Sequence, residues 1–271
     1  MVNIDQLAFS YGSTPVLNNI TMRLAAGRIY GLLGENGVGK TTLLTLLAGL
    51  KKPQQGTIEI NGENPYERHP DFLSTLYYLP DEVAPLNETA RQFATRTGIF
   101  WPGFSRDTFF GAMKEFDTDP AQKMNRMSAG QLKKTYISFA LASGATLILM
   151  DEPTNGLDSP SKSQFRSAIM KYTREDATIV ISTHQVRDLE NIIDPIIILD
   201  RQRVLMNASL EEISRKLYFN YGTQLLENSL YLEQTPTGYI QVCRNTTGED
   251  SKVNIEALFN AVYKHKDLFY E

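Results

Sequence analysis

Ile29-Tyr30-Gly31-Leu32-Leu33-Gly34-Glu35-Asn36-Gly37-Val38-Gly39-Lys40-Thr41-Thr42 is the stretch that decides the fold. A compact apolar run opens into a glycine-rich loop, and the loop leads into a helical pattern over residues 41–50. This is a strand, a phosphate loop of the form G-x-x-x-x-G-K-[ST], and a helix. The glycines allow backbone conformations that turn successive N–H groups inward toward phosphates, and the helix start adds its positive dipole end. Lys40 supplies a point charge, and the Thr41 hydroxyl is a hard oxygen suited to Mg²⁺. Asn36, Gly37, Val38, Gly39, Lys40, Thr41 and Thr42 are therefore candidate nucleotide-binding residues.

Outward from that loop, strand and helix patterns alternate. Before it, residues 4–9 and an amphipathic stretch ending at Gly27 flank a Tyr11-Gly12-Ser13 turn, as in an antiparallel edge sheet. After it, Lys51-Lys52-Pro53-Gln54-Gln55-Gly56 closes the helix, and residues 57–60 alternate like a strand before the Asn61-Gly62 turn. Apolar runs at Leu147-Ile148-Leu149-Met150, Thr178-Ile179-Val180-Ile181 and Ile196-Ile197-Ile198-Leu199 imply a buried, mostly parallel sheet. Residues 82–131 read as an α-helical insert, dense in Phe and broken by Trp101-Pro102-Gly103.

The expected fold is α/β: a P-loop NTPase core with a mostly parallel sheet, an N-terminal antiparallel β subdomain, the helical insert, and a small α+β C-terminal appendage. Residues 1–207 form the first unit and 208–271 the appendage. The appendage opens on the capping box Ser209-Leu210-Glu211-Glu212 and continues in strands near 217–221, 230–234 and 239–243. It ends in a helix from about Asn254 with Ile255, Leu258, Phe259 and Val262 on one face.

Composition narrows the function classes. With 42% hydrophobic and 21% charged residues, the chain has the balance of an ordinary globular protein. A net charge of −4 argues against a general affinity for nucleic acid, which rewards clustered Lys and Arg. One cysteine, Cys243, excludes an intrachain disulfide, and Met1-Val2-Asn3-Ile4-Asp5 lacks the features of a secretory signal, so the cytoplasm is expected. The apolar runs are far shorter than the ~20 residues of a membrane-spanning helix. A role at a membrane would thus require a second chain to cross it.

Two further constellations carry chemistry. Asp151-Glu152 follows an apolar strand, so both carboxylates emerge at a strand's C-terminal end, where ligands bind in open α/β sheets. Adjacent carboxylates can divide the labour: Asp151 in the magnesium shell, Glu152 as general base on the attacking water. Met127-Ser128-Ala129-Gly130-Gln131 precedes a helix, and a Ser, a Gly and a helix N-terminus make a second anion-binding arrangement.

The phosphate loop, Ser128-Ala129-Gly130-Gln131, Leu149-Met150-Asp151-Glu152-Pro153, Gly156-Leu157-Asp158 and Ser182-Thr183-His184, in that order, resemble the nucleotide-binding domain of the ATP-binding-cassette (ABC) family. The resemblance covers roughly residues 1–206. It implies an ATPase that binds ATP with Mg²⁺ and pairs head to tail, as a homodimer or heterodimer, with a second such subunit. Ser128, Ala129, Gly130 and Gln131 would then reach the partner's nucleotide. It further implies that Tyr11 stacks on adenine with Val16 beside it, that Asp158 links the two sites, and that His184 contacts the γ-phosphate. Where the family usually places Gln, this chain has Asp81, which the resemblance makes a magnesium ligand beside Thr41 and Asp151.

What such a motor drives is suggested by the insert. Gly98 to Arg106, followed by Phe109, Phe110 and Met113, is similar to the insert of single-domain ATPases that serve bacterial exporters through a separate integral membrane permease. That implies a cytoplasmic subunit peripheral to the inner face of the cell membrane, with no nucleic-acid partner. The alternative is a soluble ATPase of the same family that remodels ribosomes, nucleic acid or an iron–sulfur scaffold. The single cassette, the acidic balance and the lack of a long coiled-coil insertion weigh against it.

Overall fold

The computed structural model describes residues 1–227 and 229–266; Asn228 and residues 267–271, the end of the expected appendage, lie outside the described residues. Strands β1 (Val2–Tyr11) and β2 (Thr14–Leu24) pair antiparallel and turn Val2, Ile4, Leu7, Leu17, Ile20 and Leu24 into the core. Next come β3 (Ile29–Leu33) and helix α1 (Lys40–Leu47). The helix stops short of Leu50 because Gly49 has φ +66°, and a Cβ there would lie 2.0 Å from the Pro65 carbonyl oxygen. Only glycine can end the helix in that left-handed conformation against another backbone. Strand β4 (Gln55–Ile60) joins the other edge of β1, giving a three-stranded antiparallel sheet in the order β2-β1-β4.

A short helix α2 (Pro70–Ser74) leads to β5 (Leu76–Leu79), a strand too short to show a period in the sequence. The helical insert follows with α3 (Ala90–Thr97) and α4 (Arg106–Glu115), and α5 (Ala129–Ala142) runs back under the sheet. Phe139 of α5 is fully buried, with the rings of Phe93, Phe104, Tyr77 and Trp101 at 4.8, 5.0, 5.5 and 5.5 Å. Most of the insert's aromatics therefore form its own core, welded to β5 by the Trp101 indole N–H donating to the Leu76 carbonyl at 3.0 Å. Phe100 is the exception, 68% exposed beside the aliphatic Ile99 at 74%.

The chain then alternates through β6 (Leu147–Asp151), α6 (Ser159–Tyr172), β7 (Thr178–Thr183), β8 (Ile196–Asp200) and β9 (Arg203–Ala208). A six-stranded sheet results in the order β5-β6-β7-β3-β8-β9, parallel except for β9, a half-polar edge strand that the apolar runs do not announce. Both faces are covered, and the period of two sorts the side chains between them. Leu33, Ile148, Met150, Ile179, Ile181 and Ile198 face one buried cluster; Leu32, Leu147, Leu149, Val180, Ile197 and Leu199 face the other.

Residues beyond 208 form α7 (Leu210–Lys216), β10 (Leu217–Gly222), β11 (Tyr231–Thr235), β12 (Gly238–Arg244) and α8 (Ile255–Lys264), with the three strands in the antiparallel order β10-β12-β11. The periodicity expected of α8 is present: Ile255, Leu258 and Val262 are buried and Phe259 packs half-buried beside them. These side chains, with Phe219 and Val242, belong to the same buried cluster as Ile196 and Ile198 of the central sheet. The C-terminal segment is thus packed on the sheet rather than tethered to it.

Candidate functional site

The register of the central sheet assembles the site. β7 lies between β6 and β3, so the loops leaving their C-terminal ends meet: the phosphate loop after β3, Asp151-Glu152 at the end of β6, and His184 just past β7. Gly37 and Gly39 take φ of +82° and +109°, and a Cβ on Gly39 would press at 3.0 Å on both Val16 and Leu17. Val16 therefore packs against the loop. Tyr11 is exposed at the same end, its hydroxyl 3.3 Å from the Thr42 hydroxyl. Asn36 and Gly37 lie exposed at the loop's tip, while Val38 is buried beneath it.

Lys40 is buried, and its ammonium donates to the Gly34 and Glu35 carbonyls at 2.7 and 3.1 Å. Burial pulls its pKa below the ordinary lysine value, while the charges of Glu152 and Asp151 oppose that shift. Asp151 is buried too, and each carboxylate oxygen accepts one hydroxyl: Thr41 at 2.6 Å and Ser182 at 2.5 Å. The Ser182 contact follows from the ladder, which sets Asp151 of β6 directly opposite Ser182 of β7.

Glu152 sits at φ +44°, a left-handed conformation that costs a residue with a side chain about 1–3 kcal/mol. Its backbone is held there. The Glu152 N–H donates to the Ser182 carbonyl at 3.1 Å, and its own carbonyl accepts from Asn155 N–H at 3.1 Å and from the Lys133 ammonium at 3.2 Å. The side chain consequently points at His184 and Lys40: Oε1 lies 3.0 Å from His184 Nδ1 and 3.5 Å from Lys40 Nζ, and Oε2 accepts the His184 backbone N–H at 3.4 Å. A carboxylate in this setting can take a proton from water while a neighbouring cation faces phosphate oxygens.

A second group forms where the start of α5 meets the turn before α6. Ser128 caps α5, accepting the Gln131 N–H at 3.2 Å, and the Gln131 side chain returns the bond to the Ser128 N–H at 3.0 Å. Gly130 packs on the Gly156-Leu157 turn, with the Leu157 side chain 3.8 Å from where its Cβ would stand. Asp158 caps α6 through the Ser161 N–H at 3.0 Å, and its bonds to Ser161 hold its carboxyl below the usual aspartate value. Ser128, Ala129 and Asp158 are exposed, so this face can meet another surface.

Asp81, expected as a magnesium ligand, makes contacts of its own with α5 and the segment after β6. Its Oδ1 pairs with the Lys133 ammonium at 2.9 Å, and Asn155 donates to both of its oxygens at 3.3 and 3.4 Å. Its charge is already spent on Lys133, which the sequence does not single out because a lysine on a helix ordinarily reads as solvated. Ser182 likewise carries no signal of its own before the strand register is known. Among the described residues no group of three or more His, Cys, Asp and Glu side chains is arranged to hold a metal ion.

A protein-family model described as ABC transporter matches residues 17–155, about half of the chain. The chain belongs to this family. The bacitracin transport ATP-binding protein of Enterococcus faecalis is 30% identical over 230 residues, covering 80% of this chain and 71% of that one. The lantibiotic transport ATP-binding protein of Streptococcus pyogenes is 27% identical over 228 residues, covering 83% and 98%. Among solved structures, the ATP-binding subunit of an ABC transporter superposes with a TM-score of 0.70 at 25% identity, covering 79% of this chain and 92% of that one. A dimeric ATP-binding cassette in a post-hydrolysis state with ADP and Pi shares the fold, with a TM-score of 0.67 at 23% identity and coverage of 78% and 99%. As an ABC subunit, this chain binds ATP and hydrolyses it, and the α/β fold with its antiparallel N-terminal sheet is that of the family's ATPase subunits.

Proposed function

We propose that this ABC ATPase works as one half of a two-subunit nucleotide sandwich that energises an exporter with a separate membrane permease. The observation that carries the reading is the placement of Glu152 Oε1 3.5 Å from Lys40 Nζ and 3.0 Å from His184 Nδ1, in a chain that also exposes the Ser128 helix cap. Lys40 and the loop N–H groups bind the β- and γ-phosphates of ATP, with Tyr11 and Val16 against the base. Glu152 takes a proton from water as the water oxygen bonds to the γ-phosphorus; the bond to the β,γ-bridging oxygen breaks and ADP leaves with that electron pair. His184 holds the Glu152 carboxylate in line. Ser128, Ala129, Gly130 and Gln131 close on the γ-phosphate held by the other subunit, with Asp158 at the seam.

The donor set suits magnesium. Thr41 and Asp151 offer hard oxygens 2.6 Å apart, and Mg²⁺ commonly takes one or two protein oxygens together with substrate phosphates and water, not a full protein cage. Bound there, the ion would neutralise charge on the phosphate oxygens. Asp81 is assigned to Lys133 instead of to the metal, because its oxygens already serve that ion pair and Asn155.

Among the described residues no helix is long and apolar enough to cross a membrane, and the proposed permease is a separate chain. The exposure of Ile99 and Phe100 on the insert supports a contact between these side chains and the permease at the inner face of the membrane. The bacitracin and lantibiotic transport relatives support a transporter over the ribosome-, nucleic-acid- or scaffold-remodelling alternative. The experiment is Glu152→Gln. Loss of the base should slow hydrolysis at least ~100-fold while ATP still binds, trapping an ATP-bound dimer. Unchanged turnover removes Glu152 from its assigned role.

A further inference from the structure

The outer face of the phosphate loop is not bare. Gly34, the loop's first residue, presses so closely on the end of β8 that a Cβ there would lie 2.7 Å from the Leu199 carbonyl oxygen. The same carbonyl accepts the Tyr263 hydroxyl of α8 at 2.8 Å, and that hydroxyl in turn accepts the Glu35 backbone N–H at 3.2 Å. One phenol oxygen thus joins the C-terminal helix, the end of the strand and the second residue of the loop.

Two further contacts fix Tyr263 in that position. Its ring stacks on Phe259, with centroids 4.4 Å apart, and the Lys266 ammonium lies 4.8 Å over it. Lys266 also pairs at 2.7 Å with Asp200, a carboxylate only 2% exposed at the end of β8, which has strong reason to keep its counter-charge. At the other end of α8, Glu256 accepts from Arg187 at 2.6 Å, three residues past His184. The helix therefore spans from the segment after the histidine to the loop that carries Lys40.

We propose that Tyr263 is a positioning residue of the phosphate loop, through which the C-terminal segment completes this chain's own ATP site. The inference rests on the reading of residues 34–41 as the loop that binds ATP phosphates. Burial pushes the Tyr263 hydroxyl up to about 12, so it stays protonated and able to donate to Leu199 across the working range of pH. By linkage, a contact that orders the loop for ATP must itself be strengthened when ATP binds.

The test compares ATP affinity, KM and kcat in the parent, Tyr263→Phe, which keeps the ring and deletes the oxygen, and Lys266→Met, which frees the helix end. Both variants are expected to raise Kd and KM for ATP by about 3- to 10-fold, with kcat at saturation within about twofold of the parent. Hydrogen exchange at the Glu35 amide should slow on adding ATP in the parent and respond less in Tyr263→Phe. A Kd within twofold of the parent in both variants, with circular dichroism unchanged, overturns the proposal. Lys40→Met separates the two levels of the argument: if that variant also keeps parental ATP affinity, the reading of the loop itself has failed.

Discussion

Lys40 Nζ lies 3.5 Å from Glu152 Oε1, a cation from the phosphate loop facing the carboxylate at the end of β6. The two come from helices and strands more than 100 residues apart and meet because β3 and β6 flank the same strand, β7. The Glu152 charge opposes the downward pull of burial on the Lys40 pKa. Replacing Lys40 with Met should therefore remove a charged donor without disturbing the sheet. Titration calorimetry should find ATP binding weakened on the order of 10- to 100-fold, the size expected for one hydrogen bond to a charged group.

Lys133 bridges Asp81 to the Glu152 carbonyl, so it ties α5 to the strained residue that carries the proposed base. Lys133→Met should destabilise the protein by about 1–3 kcal/mol, since the Asp81 charge and the Glu152 carbonyl both lose a donor. Turnover should fall roughly tenfold as Glu152 loses its fixed position. Because the residues are in contact, Asp81→Asn and Lys133→Met should not add: in a double-mutant cycle, denaturant unfolding should yield a coupling of about 0.5–3 kcal/mol.

The cap of α6 predicts a pH dependence. Bonds from Ser161 hold the Asp158 carboxyl below its ordinary value of 3.8. The folded form thus resists protonation more than the unfolded chain. The cap's contribution is full above pH 3.8 and is lost as pH falls toward the lowered value. The Ser161 amide resonance should titrate with a midpoint below 3.8 in the parent and stay flat in Asp158→Asn, where a neutral side chain can still cap the helix. A midpoint at or above 3.8 would contradict the assignment of that bond.

Much of this was legible from residues 29–42, because a phosphate loop states its own local structure: a strand before it, a helix after it, and glycines where φ is positive. The long apolar strands β6, β7 and β8 were equally plain, and their carboxylates and histidine could be placed at strand ends. β5 and β9 were not, one being four residues long and the other a half-polar edge. Asp81 illustrates a different limit. Its ordinal place suggests a metal ligand and says nothing of Lys133, which lies 52 residues away on α5 and is brought to it only by the fold. Tyr263 is more distant still, 228 residues from the Glu35 amide it accepts. Contacts of that kind are set by packing, which no local pattern encodes.

The central claim is that this chain holds one half of each ATP site, its Ser128 cap serving the partner's nucleotide. Ser128→Asp tests it most directly, because aspartate caps α5 as serine does while opposing a phosphate with negative charge. ATP affinity and turnover should be measured on the same preparation. The account predicts an ATP Kd within about twofold of the parent with turnover reduced at least ~100-fold, the loss expected when donors facing the reacting phosphate are reversed in sign. Affinity and turnover falling in proportion would place Ser128 in the chain's own site and contradict it.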